Sequence, residues 1–430
     1  MYSTIFIMFS AFMVLLFAGM PIAFCLVVPG LLYFFMTPGL DVSFIPHTIS
    51  SPLFNFVLIA LPAFLLSGRM MNGTGITKRL FDVSLAIVGR FRGGLAYTTI
   101  LSSMLFASMS GTAVGDAGGI GQVQMKMMSD AGYKRDFAAG LTAASSILGP
   151  LIPPSVAMVI LGASSGISIG KLFLGGLIPG LLMTAGLMIY VASRAHFGDG
   201  KVWPVTKVPA KEIPASLSRA FLPLMTPVII VGGISWGVVT PTEAAVIAID
   251  YAIILGIFYK ELSFKVFREI LEETVSTSGT FMFIVACAGF FTLILTKEGL
   301  PQLILSTLTP IVNYDVTMAM LLICAVLFVV GCFIDTTAAI LLVTPVLMPI
   351  VNQMGLDPIH FGIVMVVALM TGIITPPFGI CLFVLSDVSK LPVSVVTREA
   401  VKYLPTMFIV TILVVIFPSM ATWVPKLVFG

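Results

Sequence analysis

The sequence predicts an all-α polytopic membrane protein made of two inverted-topology repeats. Each repeat is expected to carry a re-entrant helical hairpin and a broken transmembrane helix. Three observations lead there. Of 430 residues, 58% are hydrophobic and only 10% are charged, with a mean hydropathy of +1.12; a soluble domain carries roughly 25% charged residues. Two apolar runs are interrupted in the same way, by Gly149-Pro150-Leu151-Ile152-Pro153-Pro154-Ser155 and by Gly372-Ile373-Ile374-Thr375-Pro376-Pro377-Phe378. The glycine and both later prolines recur 223 positions apart, as do Gly132 and Gly355. Finally, all but Lys171, Lys297 and Lys426 of the 22 Lys and Arg residues fall on one side of a layout with an outside N-terminus and two re-entrant hairpins. Basic residues gather on the cytoplasmic side, so a full crossing at either hairpin would destroy that asymmetry.

The first repeat covers 1–193. It opens with apolar segments at 4–19, 22–36 and 50–68, each long enough to approach or span the hydrocarbon layer. The first basic residue is Arg69. A cleavable leader wants a basic start, so the first segment is read as a retained helix. Residues 76–92 alternate basic and apolar positions and read as an interfacial helix on the inner leaflet. A hairpin at 93–128 turns near Ser108-Met109-Ser110-Gly111. A broken helix at 136–165 and a span at 172–193 close the repeat. Residues 194–220, polar and Pro-rich, form a cytoplasmic linker.

The second repeat, 221–430, runs in the same order. Spans fall at 221–239, 243–259 and 276–295, followed by an uncharged arm at 300–312. The hairpin at 315–353 turns near Gly331-Cys332-Phe333-Ile334. The broken helix at 359–388 and a span at 402–420 complete it. Gly75 pairs with Gly299, Pro21 with Pro241 and Asp116 with Asp335 across the halves. Five crossings per half, an odd number, require the halves to be inverted. Both termini are then periplasmic.

The breaks carry the chemistry. Pro-Pro cannot continue a helix, and a carbonyl freed inside lipid costs several kcal/mol unless something binds it. Each break ends one half-helix in carbonyls and begins another with amides. Carbonyls suit a small hard cation, and amides suit a carboxylate. Two cation sites follow: Ser108, Ser110, Gly149, Ile152 and Pro154 for one, and Gly331, Gly372 and Thr375 for the other. Most act through main-chain oxygen. A carboxylate substrate would dock between them, near Thr112, Ser155 and Thr336. Asp116 and Asp335 lie just past the turns. They either serve the substrate, the turn or the cation, or cap the returning helices.

Other motifs read as structure or as nothing. Thr240-Pro241-Thr242-Glu243 is a helix capping box. Asp250, further along that helix, has no evident capping role. Cys25, Cys287, Cys324, Cys332 and Cys381 lack paired spacing, which argues against a disulfide framework or a zinc site. His47, His196 and His360 are expected in loops, solvated. No phosphate loop or dinucleotide fingerprint is present, the formal charge of +3 points to no nucleic acid, and no organic cofactor or enzyme activity is expected.

The runs SMSGTAVGDAGGIG (108–121), AGY (131–133), GPLIPPS (149–155), TPTEAA (240–245) and TGIITPPFG (371–379) together resemble the large membrane subunit of tripartite ATP-independent periplasmic (TRAP) transporters. The resemblance covers essentially the whole chain. It implies a sodium-driven importer of an organic acid, of the sialic acid or C4-dicarboxylate class, in the bacterial inner membrane. It implies two partners: a small four-helix membrane subunit and a soluble periplasmic substrate-binding protein. It also implies elevator-type movement, with sodium held at the hairpin turns and broken helices, where the two cation sites were placed. Cys332 and Phe333 depart from the small polar residues expected at the second turn.

Two other readings compete. A stand-alone divalent-anion/sodium symporter of similar design would need no binding protein. An intramembrane aspartyl protease would use Asp116 and Asp315, in Val114-Gly115-Asp116 and Tyr314-Asp315. Against it, Ala113 replaces the first glycine of GxGD and the two motifs come in the wrong order.

Overall fold

A computed structural model describes residues 2–37, 43–197, 203, 212–312 and 315–430, and these are helical with no strands. The first half contains α1 (Tyr2–Phe17), α2 (Ile22–Met36), α3 (Phe44–Ser50), α4 (Ala60–Gly73), α5 (Ile76–Val88), α6 (Gly94–Ser110), α7 (Ala113–Gly118), α8 (Ile120–Asp130), α9 (Arg135–Ser146), α10 (Val156–Ser165) and α11 (Ile169–Phe197). The second contains α12 (Glu212–Ser235), α13 (Pro241–Phe258), α14 (Phe264–Lys297), α15 (Leu300–Val312), α16 (Val316–Phe333), α17 (Thr336–Gln353), α18 (Pro358–Gly372), α19 (Ile380–Ser389), α20 (Val393–Ala400), α21 (Leu404–Ile416) and α22 (Ser419–Phe429). Eight helical stretches among the described residues are long and apolar enough to cross a membrane.

Both helix breaks are present. Helix stops after Ser146 and resumes at Val156, and stops again after Gly372 and resumes at Ile380. Each break holds a cis peptide between its paired prolines, Pro153-Pro154 and Pro376-Pro377. The aligned glycines also share a backbone state: Gly75, Gly299, Gly132 and Gly355 all have positive φ. Gly132 and Gly355 close the same helix stop. Tyr133 donates its amide to the Met128 carbonyl, and Leu356 to Val351, both at 3.0 Å; the left-handed residue makes this six-to-one bond possible.

The first hairpin turns at Gly111 and returns as α7 and α8. Its arms are pinned by Gln124, fully buried, whose carboxamide nitrogen reaches the Thr99 carbonyl at 3.1 Å and the Ser102 and Ser103 hydroxyls at 3.0 and 2.8 Å. In an apolar interior such a polar network favours one register, although the Gln124 carboxamide oxygen has no hydrogen-bond partner. The second hairpin differs. Its arms, α16 and α17, barely touch each other: α16 lies along α18, while α17 packs on α10 and α14. Each arm is by itself among the stretches long and apolar enough to span.

The chain's last span folds back on the first half. Helices α21 and α22 run antiparallel to α11, with Tyr190 edge-on to Tyr403 (ring centroids 4.9 Å) and Gly175 against the Ala421 carbonyl. At the far end the Lys171 ammonium sits 5.8 Å from the Phe429 ring. Of the linker, residues 198–202 and 204–211 lie outside the described set; Trp203 packs edge-on to Phe137 at 5.1 Å.

The histidine expectation needs correction. His360 is buried in the first turn of α18, and its Nε2 lies 2.7 Å from the Val414 carbonyl. Asp357 caps α18 through the Ile359 and His360 amides and Pro358 begins it, so the helix starts earlier than a loop reading allows. His47 and His196 are exposed, but both are helical.

Candidate functional site

Hairpin turns and helix breaks from both halves meet at one cavity of about 590 Å³. Its walls include Ser110 to Gly115 from the first turn, Asp335 to Thr337 from the second, Pro150 and Ile373 from the breaks, and one face each of α4 and α14. Residues more than 200 positions apart in sequence thus share one chamber.

Around the first turn the main chain is crowded because glycines permit it. Gly111 has φ +62°, and a Cβ there would lie 2.9 Å from the Pro154 carbonyl oxygen. The Gly111 carbonyl accepts the Val156 amide at 3.1 Å. A Cβ on Gly149 would lie 2.7 Å from Asp116 Oδ2 and 2.9 Å from the Thr112 carbonyl oxygen. Ser110, Gly149 and Pro154 are therefore gathered at the turn. Ser108 donates its hydroxyl to the Leu105 carbonyl at 2.6 Å. The Ile152 side chain points the other way, onto Gly180 of α11.

The second turn repeats the arrangement with different atoms. A Cβ on Gly372 would lie 2.7 Å from the Gly331 Cα and 2.7 Å from the Phe328 carbonyl oxygen. The Cys332 carbonyl accepts the Gly379 amide at 3.4 Å. Thr375 donates its hydroxyl to the Thr371 carbonyl at 2.8 Å, and its amide bonds the Gly372 carbonyl at 2.8 Å. Gly331, Gly372 and Thr375 are thus neighbours, and the bulk of Cys332 and Phe333 leaves the main-chain contact intact.

The two aspartates have different jobs. Asp335 caps α17, accepting the Thr337 amide at 2.9 Å, and it lines the cavity. Asp116 does not cap α7; Thr112 does, accepting the Gly115 amide at 3.1 Å. Asp116 is 1% exposed, accepts the Ser110 hydroxyl through Oδ1, and leaves Oδ2 without a hydrogen-bond partner. A buried carboxylate oxygen with no donor is costly, and here it faces the close-packed carbonyls of the first turn. Of the expected substrate residues, Thr112, Asp335 and Thr336 line the cavity. Ser155 is buried behind it as the cap of α10, donating to the Pro150 carbonyl at 2.5 Å and accepting from Met158 at 3.2 Å.

Sequence reasoning missed the α4 and α14 wall. Arg69, Asn72, Glu273 and Thr277 all line the cavity. One signal was available: Arg69 is the first basic residue and sits within an otherwise apolar helix. The capping box was read correctly: Thr240 accepts the Glu243 amide at 3.3 Å and Glu243 accepts the Thr240 amide at 2.7 Å. The five cysteines are buried and unpaired. Asp315 is exposed and caps α16; the 18 residues of α16 at 1.5 Å each put it about 27 Å from the second turn. Its neighbour Tyr314 lies outside the described residues. An exposed cap and a buried, serine-bonded acid are not the proton-sharing pair an aspartyl protease needs.

A family model described as "Tripartite ATP-independent periplasmic transporter, DctM component" matches residues 9–420. The chain is 42% identical over 420 residues to the sialic acid TRAP transporter large permease protein SiaM of Vibrio cholerae, covering 97% of each chain. It is 38% identical over 375 residues to the C4-dicarboxylate TRAP transporter large permease protein DctM of Pseudomonas aeruginosa, covering 86% of this chain and 87% of that one. The fold is similar to that of the YdaH transporter of Alcanivorax borkumensis, with a TM-score of 0.64 and 13% identity over 94% of this chain and 97% of that chain. Nearly full-length agreement of sequence, together with paired breaks around one cavity, makes this chain a member of the TRAP transporter large-permease family.

Proposed function

We propose that the protein imports a carboxylate of the sialic acid or C4-dicarboxylate class across the bacterial inner membrane, driven by sodium. The observation that carries this reading is the convergence of two hairpin turns and two broken helices on a single cavity. Such breaks supply carbonyls to a cation and half-helix amides to an anion. The residues fit a hard monovalent cation: glycines bring carbonyl oxygens together at each turn, and the Asp116 Oδ2 without a donor faces one of them.

In this reading sodium binds at Ser108, Ser110, Gly149, Ile152 and Pro154, and at Gly331, Gly372 and Thr375. It tightens both turns, and the substrate then docks between Thr112, Asp335 and Thr336. Ser155 and Asp116 support the first turn from behind. The two halves are inverted repeats, both hairpins are re-entrant, and the loaded hairpins and half-helices move together against the remaining spans. Charge compensation lowers the cost of carrying the anion through a low-dielectric barrier. Names of the relatives support the substrate class, and family membership supports a small membrane partner and a periplasmic binding protein that delivers the ligand.

Uptake by proteoliposomes holding this chain and its small membrane partner tests the reading. With sodium and the binding protein outside, labelled N-acetylneuraminate or succinate accumulates. Equal accumulation without sodium overturns the coupling. Equal accumulation without the binding protein favours the stand-alone symporter.

A further inference from the structure

Among the described residues lining the cavity, Arg69 is the one cation; Glu273 and Asp335 are the anions. Arg69 is held from across the chamber by α14. Its Nη1 donates to Glu273 Oε2 at 3.0 Å and its Nη2 to the Thr277 hydroxyl at 2.6 Å. The neighbouring Gly68 lies against the first hairpin turn, where a Cβ would meet the Met109 carbonyl oxygen at 2.9 Å. The only cavity cation among the described residues therefore stands one residue from the turn at which the substrate docks.

We propose that Arg69 is the carboxylate-receiving group of the cavity and that Glu273 is its resident stand-in, displaced when the substrate's carboxylate arrives. The Glu273 side chain is 71% exposed and the Arg69 side chain 29% exposed. An ion pair so open to water contributes little, so exchange costs little. The contact to Glu273 is one-pronged, whereas a guanidinium can hold a free carboxylate by two parallel hydrogen bonds. Without Arg69, an anion entering would face two carboxylates and no cation from the protein. The exchange also keeps Arg69 paired when the cavity is empty, so that no unpaired charge accompanies the unloaded protein.

This proposal rests on the transport reading above, and a binding cycle separates the two. Binding of N-acetylneuraminate and its methyl ester is measured on the purified full chain in sodium, with sodium binding followed separately by thermal shift. The unsubstituted protein prefers the acid by about tenfold, the scale of one charged contact. Arg69→Gln loses that preference while keeping the sodium-induced shift, and Arg69→Lys retains part of it. Glu273→Gln binds the acid as well as or better than the unsubstituted protein, because the competitor is gone. An acid preference undiminished in Arg69→Gln overturns this proposal alone. So does Glu273→Gln weakening the acid as much as Arg69→Gln, which makes the pair a structural clamp. Failure of the unsubstituted protein to bind either the acid or succinate in sodium sinks the transport reading as well.

Discussion

Gly372 lies so close to Gly331 that a methyl group on it would stand 2.5 Å from the Gly331 carbonyl carbon. The obstacle is backbone, which cannot swing aside as a side chain can. Overpacking of this kind costs about 1–3 kcal/mol. Gly372→Ala is expected to push the second turn away from its break and raise the sodium concentration giving half-maximal uptake. Membrane insertion, measured by yield and size-exclusion profile, is expected to stay near normal. Equal loss of yield and uptake would make the contact purely structural.

Gly149→Ala tests the first turn in the same way. The new Cβ would meet Asp116 Oδ2 and the Thr112 carbonyl oxygen. The sodium requirement is expected to rise as it does for Gly372→Ala. A change in the first variant without the second would show that the two turns bind unequally.

Ser110→Ala removes the hydrogen bond that Asp116 accepts through Oδ1. An unsatisfied buried acceptor costs about 1–3 kcal/mol, more when charged. The variant is expected to melt lower without sodium, and its deficit is expected to grow as sodium is added, because the ion has lost one of its proposed ligands. A calorimetric scan at several sodium concentrations checks this. An identical loss at every concentration would exclude the ion from that turn.

His360→Leu leaves the Val414 carbonyl without its partner across α18 and α21. A loss of about 1–3 kcal/mol is expected from the orphaned acceptor. The sodium dependence of uptake is expected to stay unchanged, since His360 is absent from the cavity wall. Paired melting and uptake measurements on one preparation decide it.

What the sequence revealed and what it hid have separate physical causes. Breaks, turns and caps are local: Pro-Pro, Gly132, Gly355 and Thr240-Pro241 force backbone conformations that no distant contact can undo. They were legible for that reason. His360 was not, because its partner lies 54 residues away and only packing brings them together. Arg69 and Glu273 stand 204 residues apart and join the site only through the crossing of α4 and α14. Asp116 and Asp335 looked equivalent because both follow a turn. The extra residues between turn and acid in the first half give the cap to Thr112 and send Asp116 inward.

The bonds from Val156 to Gly111 and from Gly379 to Cys332 use peptide groups only. Any amino acid except proline can supply such a donor, and every one can supply such an acceptor. Each hairpin tip is thus stitched to its neighbouring half-helix by a seam that uses no side-chain atom, although Gly111 and Gly379 within it are both held at positive φ. The side chains lining the cavity could change over evolutionary time while tip and half-helix stayed fastened to each other.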